Sequence, residues 1–462
     1  MDGYIVINKL IKDSKPPHPI FLPGVKNVSP IIRALYSMIS VITIKSHKWF
    51  MQDKRMTETE EKAYEKFTLG YFVKEVKNEA IQKNFIWCLN FAAEAHKDQK
   101  RKDIECTPYI NHPIGVAYII SEEAGITSLD LLRGCLLHDT VEDTSVVIDV
   151  IRARFGDYIA NLVEEVTDDK SLPKQKRKDL QVIHARTSSP QAKMVKLADK
   201  LYNLRDLDRS LPKGWTEERR REYYEWAFQV CEGLRGINSK LEEALDEFFK
   251  TKGLISVREP TDGPLEDIPW PEHEELKPLI AAANLAAKVH RRRFLFNASN
   301  SVPYINHPIS IAFIITEEAE IYDTSVLCAA MLCDVVGEDN TTVEDIQEMF
   351  GRQVGTLVAE LFTHSSSTED KFKIQMNKAH SLSYHAKVII LAGMIDNCRR
   401  LEVFEPQGWS QQMRENYFKW AFQLSTALAN THPQLELELN NIWIGQGLKT
   451  FPMQSKEEPQ CI

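Results

Sequence analysis

Residues 107–126 read TPYINHPIGVAYIISEEAGI, and residues 302–321 read VPYINHPISIAFIITEEAEI. Fourteen of these twenty positions are identical, and Val/Ile, Tyr/Phe and Ser/Thr exchanges account for three more. A second match follows: GWTEERRREYYEWAFQ from Gly214 pairs with GWSQQMRENYFKWAFQ from Gly408. The offset is 195 residues at the first match and 194 at the second, so about one residue is lost between them. Two matches in register make the chain a tandem duplication.

Each copy has the length of one domain, residues 82–250 and residues 274–446. Residues 251–273 between them carry Pro260, Pro264, Pro269 and Pro271 among acids, a linker composition with little to bury. Residues 1–81 match neither copy and read as an N-terminal extension, partly disordered and then helical from Thr57 to Lys77, with Thr57 or Thr59 as a possible N-cap. Residues 447–462 form a C-terminal tail. Within the copies the apolar spacing is helical. Ile148, Ile151, Phe155, Ile159, Leu162, Val163 and Val166 recur every three to four residues, with Gly156 placed to separate two short helices. Leu129 to Leu137 reads as a helix buried on most sides, and no alternating run of β-branched residues occurs. The expected fold is all-α, two tandem helical modules.

Composition narrows the function. The 462 residues are 43% hydrophobic, ample for packed cores, and 57 Lys+Arg against 66 Asp+Glu give a net charge of −9. That balance argues against a general nucleic-acid binder, whose affinity comes mainly from neutralising phosphates. Eight cysteines without a C-x-x-C pair predict reduced thiols in a cytoplasmic protein. The longest apolar stretch, Ile31 to Ile44, is about a third short of the roughly 20 residues that span a bilayer, so no membrane partner is expected.

Polar residues set into apolar helices mark where chemistry could sit. Cys135-Leu-Leu-His138-Asp139-Thr-Val-Glu142-Asp143 brings four titratable groups to the end of an apolar helix. If the helix continues, His138 shares a face with Glu142, and Asp139 with Asp143. Three neighbouring acids repel unless a cation neutralises them, and a divalent metal does so economically. Taken alone, the segment also reads as a solvated helix end with a capping Asp. His112 precedes Pro113 at an expected helix start, where it is either a satisfied structural residue or aimed into a cleft. Asp199 lies inside the apolar helix MVKLADKLYNL and is either a partner of Arg or Lys or a metal ligand.

In order, His112, His138-Asp139 and Asp199 form the H…HD…D pattern of the HD-domain metal phosphohydrolases, which this stretch resembles. INHP, LLHDTVEDT, VEEVTDDK, VKLADKLYNLRDL and the GW…EYYEWA block further resemble the small metazoan SpoT-homologue hydrolases, animal relatives of the RelA/SpoT hydrolase domain. The resemblance covers the whole first copy and, more weakly, the second. It implies His112, His138, Asp139 and Asp199 as metal ligands and Glu142 and Asp143 as the catalytic acidic pair. It also implies nucleotide contacts at Arg101, Lys102, Lys174, Asn203, Arg219 and Tyr223, which read bottom-up are surface charge and ordinary polar residues. The implied cofactor is a divalent ion, Mn²⁺ foremost. The implied reaction takes the 3′-diphosphate from guanosine 3′,5′-bis(diphosphate), leaving GDP and pyrophosphate. NADPH or another phosphorylated nucleotide is the alternative substrate, and a silent binding or scaffold protein the alternative of another class.

The second copy departs from the pattern. His307 and Asp334 keep two ligand positions, but Cys333 replaces His138 and Gly393 replaces Asp199. Gly337 stands for Glu142, Glu338 for Asp143 and Met413 for Arg219, while Tyr417 matches Tyr223. This copy is expected to fold without hydrolysing anything and to be able to pack against the first.

Overall fold

The computed structural model describes residues 78–256, 270–295, 302–363, 368–404, 406 and 408–448. The helix expected over 57–77, most of the linker and the tail beyond 448 lie outside the described residues. Among those described, every regular element is helical, and only the isolated bridges Lys100–Pro108 and Phe294–Pro303 are extended. The all-α expectation holds.

The first repeat begins with a helix, α1, helical throughout 81–95. It continues with α2 (Asn111–Tyr118), drawn out by a π-helical turn Ile119–Glu123, then α3 (Leu129–Leu137) and the single turn α4 (Thr140–Asp143). Then come α5 (Ile148–Phe155), α6 (Asp157–Val166), α7 (Lys174–His184), α8 (Pro190–Arg209), α9 (Glu217–Leu234) and α10 (Ser239–Thr251). The second repeat follows the same order from α11 (Leu276–Val289) through α12 (Asn306–Glu317), α13 (Thr324–Leu332), α14 (Val343–Phe350) and α15 (Arg352–Leu361). It ends with α16 (Thr368–Lys378), α17 (Tyr384–Val403), α18 (Gln411–Ala427) and α19 (Pro433–Gly445).

Local sequence sets these ends alike in both repeats. Ser189 caps α8 by accepting from the Ala192 amide, with Pro190 at the first helical position, where its missing N–H costs nothing. Ser383 caps α17 in the same way. Gly156 and Gly351, at φ 87° and 86° with ψ 167°, turn α5 into α6 and α14 into α15. That backbone region is all but closed to residues with a Cβ. The expected helix over Ile148–Val166 is thus two helices, divided at Gly156 as the sequence indicates.

The central helices of the first repeat are α3 and α8. Leu131, Leu132, Cys135, Leu136 and Leu137 of α3 and Met194, Val195, Leu197, Ala198, Leu201 and Leu204 of α8 are essentially inaccessible. At about 25 cal/mol per Å² of apolar surface, this burial is the main force holding the ends of α2, α3 and α8 in one place. Gly134 lets α3 approach α6, since a Cβ there would lie 2.5 Å from Leu162 Cδ2.

The buried apolar residues of both repeats form one continuous core. Helix α11 contacts α2 of the first repeat as well as α13 of its own. Asn111 Nδ2 donates to the Ala287 carbonyl (2.6 Å), and its counterpart Asn306 Nδ2 donates to the Ala93 carbonyl (2.8 Å). Both asparagines are buried. Lys83 pairs with Glu317 at 3.2 Å.

The paired glycine turns give a direct check on this construction. Gly156→Ala and Gly351→Ala should each lower unfolding free energy by about 1–3 kcal/mol through backbone strain alone. Chemical denaturation of the two variants measures it, and the space around both glycines excludes a steric cause.

Candidate metal centre and acidic pair

Three chain segments meet at the site. His112, second residue of α2, is 1% exposed, and its Nε2 faces the interior of the repeat. Pro113 follows it in the first turn, where no backbone donor is needed. His138 and Asp139 lie between α3 and α4. The helix does not run through them, because side chains compete for its last carbonyls: the His138 imidazole takes Cys135 O at 2.7 Å, and the Thr140 hydroxyl donates to Leu137 O at 2.7 Å. The bond to Cys135 fixes the His138 tautomer, with the proton on Nδ1 and the Nε2 lone pair free to ligate. Asp199 projects from the middle of α8.

The donor atoms converge. His112 Nε2 lies 3.2 Å from His138 Nε2, 3.4 Å from Asp139 Oδ2 and 3.2 Å from Asp199 Oδ1. His138 Nε2 is 3.1 Å from Asp139 Oδ2 and 3.9 Å from Asp199 Oδ1. Ligands sharing one ion at roughly 2.1 Å stand roughly 3.0–3.5 Å apart, so the set fits a divalent ion. Among the described residues, His112, His138 and Asp199 are the group whose ligand atoms all fall within 4.8 Å of one another. Asp139 Oδ2 contacts both imidazoles from outside that group.

Two imidazole nitrogens 3.2 Å apart repel unless a proton or a cation provides a link between them. In the metal-free protein a proton supplies it: burial opposes the imidazolium, but Asp139 and Asp199 outweigh burial and push His138 up to about 9. For Asp139, burial is again outweighed, here by His138 and His112, which hold the carboxyl well below its usual range. Asp199 is depressed likewise, against burial, chiefly by Lys200, whose buried ammonium lies 2.8 Å from Oδ2. Asn203 Nδ2 donates to Asp199 Oδ1 at 2.6 Å. Asp199 is therefore both a partner of lysine and a member of the donor cluster.

The acids of α4 diverge. Glu142 Oε2 accepts from the Asp168 amide at 3.2 Å, and Oε1 faces Arg177 Nη1 at 3.6 Å. Burial first, and the charge of Asp139 second, raise its carboxyl to about 7. Asp143 turns the other way, paired with Lys170 and accepting from the Tyr109 hydroxyl at 2.7 Å. That hydroxyl is also 2.7 Å from Asp139 Oδ2, so it links the Asp139 and Asp143 carboxylates.

Two clefts open beside these acids and meet at Trp215 and Tyr223. One, of about 480 Å³, is lined by Asp143, Tyr109, Arg101, Lys102 and Asn203. The other, of about 760 Å³, is lined by Glu142, Lys174, Arg177, Lys178 and Arg219. Asn203 Oδ1 accepts from Arg101 Nη2 at 2.7 Å, and Asp206 pairs with it at 3.1 Å. The Arg219 guanidinium lies 4.2 Å over Trp215, and the Lys178 ammonium 4.7 Å over Trp226. All the positions singled out from the sequence thus lie at the donor cluster or along these clefts. Tyr109, Lys200, Arg177 and Lys178 were not singled out. The signal for Tyr109 was its identity with Tyr304 in the other copy; the rest had none.

Two imidazoles and two carboxylates in this order, from the start of α2, the α3–α4 junction and the middle of α8, are the pattern of the HD-domain class, and the HD domain model matches residues 88–231 and 282–403. The chain belongs to the HD-domain family, and it is a hydrolase. It is 61% identical over 165 residues to guanosine-3′,5′-bis(diphosphate) 3′-pyrophosphohydrolase MESH1 of Homo sapiens, covering 36% of this chain and 92% of that one. The Drosophila melanogaster protein of the same name is 52% identical over 171 residues, 37% of this chain and 96% of its own. A solved structure described as a metazoan ortholog of SpoT that hydrolyzes ppGpp is 52% identical over 37% of this chain and 97% of its own, with a TM-score of 0.37.

The raised Glu142 carboxyl has a pH signature. Its folded value of about 7 exceeds the ordinary 4.5, so below 4.5 it is neutral in both states and has no effect. As pH rises from 4.5 to 7 the unfolded state ionises first, and stability falls by about 3 kcal/mol in all. In chelator, denaturation of the parent and of Glu142→Gln should diverge over that window, the variant lacking this loss. Parallel curves would show Glu142 to be unperturbed.

Proposed function

We propose that the first repeat is a metal-dependent hydrolase that converts guanosine 3′,5′-bis(diphosphate) and water to GDP and pyrophosphate, freeing the ribose 3′-hydroxyl. The observation that carries the reading is the cluster of buried His112 and His138 with partly buried Asp139 and Asp199, with an acidic pair beside it and cationic clefts on either side. The mixed nitrogen and oxygen donors suit Mn²⁺. A bound divalent ion would supply Lewis acidity, easing loss of a proton from water and drawing charge from a phosphoryl oxygen.

The rest falls to side chains. Glu142, raised to about 7, is suited to take a proton from attacking water near neutral pH and return it to the leaving oxygen. Asp143, held by Tyr109 and Lys170, orients that water from the other side. Arg101 and Lys102 in one cleft, and Lys174, Arg177, Lys178 and Arg219 in the other, offer the substrate's two diphosphates separate cationic seats. Trp215 and Tyr223, shared by both clefts, give the nucleoside an aromatic surface between them.

The second repeat we infer to be inactive. Cys333 replaces the imidazole of His138, and no carboxylate can stand at Gly393. The described cysteines are all free, in keeping with a cytoplasmic setting, and among the described residues no helix is long and apolar enough to cross a membrane.

The test is turnover of the full chain with Mn²⁺, following pyrophosphate from guanosine 3′,5′-bis(diphosphate) and orthophosphate from NADPH in parallel. Asp139→Asn should cut pyrophosphate release by about a thousandfold or more, and Asp334→Asn at the matching position should leave it unchanged. Orthophosphate from NADPH alone would move the assignment to the ribose 2′-phosphate. Loss of activity in Asp334→Asn would overturn the assignment of catalysis to the first repeat.

A further inference from the structure

The second repeat keeps a buried imidazole, His307, yet its surroundings do not fit a metal. Cys333 stands where His138 does, its Sγ 3.6 Å from Asp334 Oδ2, and Gly393 leaves no donor where Asp199 stands. Asp334 accepts from the Tyr304 hydroxyl at 2.6 Å. His307 Nδ1 lies 2.6 Å from Asp396 Oδ2, Ser310 Oγ donates to Asp396 Oδ1 at 2.6 Å, and Arg400 Nε reaches both oxygens at 3.0 and 2.9 Å. Asp396 is 4% exposed and His307 6%. The carboxylate is fully engaged by neighbours.

These partners replace a different packed unit as a set. By the repeat offsets, Ser310 stands for Gly115, Asp396 for Tyr202 and Arg400 for Asp206, and the matching backbone bonds of Arg101 to Thr107 and of Leu295 to Val302 put Leu295 in the place of Arg101. In the first repeat a Cβ at Gly115 would lie 2.1 Å from Tyr202 Cε2, the Tyr202 ring sits 4.9 Å from the His112 ring, and Asp206 holds Arg101. Each single exchange would be costly. Serine at 115 would collide with Tyr202, and a buried Asp396 without Arg400 would lack its cation. Simple decay deletes donors; it does not install matched ones.

Arg400 also leaves its own repeat. Its Nη2 lies 3.1 Å from Glu94 Oε1 on α1, next to the Ala93 carbonyl that accepts from Asn306. Just beyond α1, His96 stacks on Tyr109 at 4.8 Å and holds Gln99, whose amide donates to the Asp143 carbonyl. The Arg400 contact at the end of α1 thus adjoins the turn His96–Gln99, which reaches the acidic pair.

We propose that the second repeat has exchanged its metal for a hydrogen-bonded core of His307, Ser310, Asp396 and Arg400, and that through Arg400 and Glu94 this core anchors α1 of the first repeat. The proposal holds whichever nucleotide the first repeat hydrolyses.

Metal content and hydrogen exchange of the full chain test it without an activity assay. Mn²⁺ titration should give one equivalent, abolished by Asp199→Asn and kept in Asp396→Asn. Chelator should raise exchange in α2 and α8 and leave α12 and α17 unchanged. Arg400→Met should raise exchange about tenfold or more in α12, α17 and α1, and Glu94→Gln in α1 only. Combining the two should add nothing further at α1. If Arg400→Met does not fold, Arg400→Lys, which keeps the charge without the fork, should loosen α1 non-additively with Glu94→Gln. A second equivalent of Mn²⁺ lost in Asp396→Asn, deprotection of α17 by chelator, or additive effects at α1 would each overturn the proposal.

Discussion

Four carboxylates, those of Asp139, Glu142, Asp143 and Asp199, crowd the place where α2, α3, α4 and α8 meet, and their mutual repulsion is what the first repeat must contain. Each has its own answer. Asp199 is held by buried Lys200 and by Asn203, Asp143 by Lys170 and Tyr109, and Glu142 by the Asp168 amide and Arg177. What remains shared is the face between Asp139 and Asp199, and it is filled by two imidazole nitrogens. A single carboxylate buried without such partners would cost several kcal/mol or take up a proton. Glu142 goes part of the way toward that second outcome, which suits it for moving a proton near neutral pH.

The cations that balance this acidity are stiffened by aromatic rings. Arg219 lies over Trp215, Lys178 over Trp226, and Arg101 within 5.8 Å of the Tyr109 and Tyr202 ring centres. Long charged side chains otherwise lose much rotamer freedom on binding a phosphate. A ring beneath the charge removes part of that loss beforehand, and it lets a chain of net charge −9 keep a positive rim facing an acidic floor.

Much of this was legible in the residues. The duplication, the helical stripes, the break at Gly156 and the ordered His112, His138-Asp139 and Asp199 all lie in local pattern and spacing. What was not legible depends on where helices cross. The α3 helix stops short of Glu142 because His138 and Thr140 bond carbonyls of its last turn, a contest that helical periodicity does not register. Lys200 sits beside Asp199 in the chain, yet its burial and pairing follow from how α8 packs. Comparing the copies ligand by ligand located the losses at Cys333 and Gly393 but passed over Asp396, since the new partner of His307 comes one turn later, at a position where the first repeat has a tyrosine.

The reciprocal bonds of Asn111 to Ala287 and Asn306 to Ala93 join surfaces that belong to one polypeptide. Their formation is therefore unimolecular. Two separate chains meeting through the same groups would part on dilution, whereas a short tether holds such partners at an effective concentration on the order of millimolar. The contact is consequently the same at the lowest abundance and the highest. A duplicated chain of this kind has no dissociation constant to defend, and its second half is free to change residues that a self-associating protein would have to keep identical on both sides.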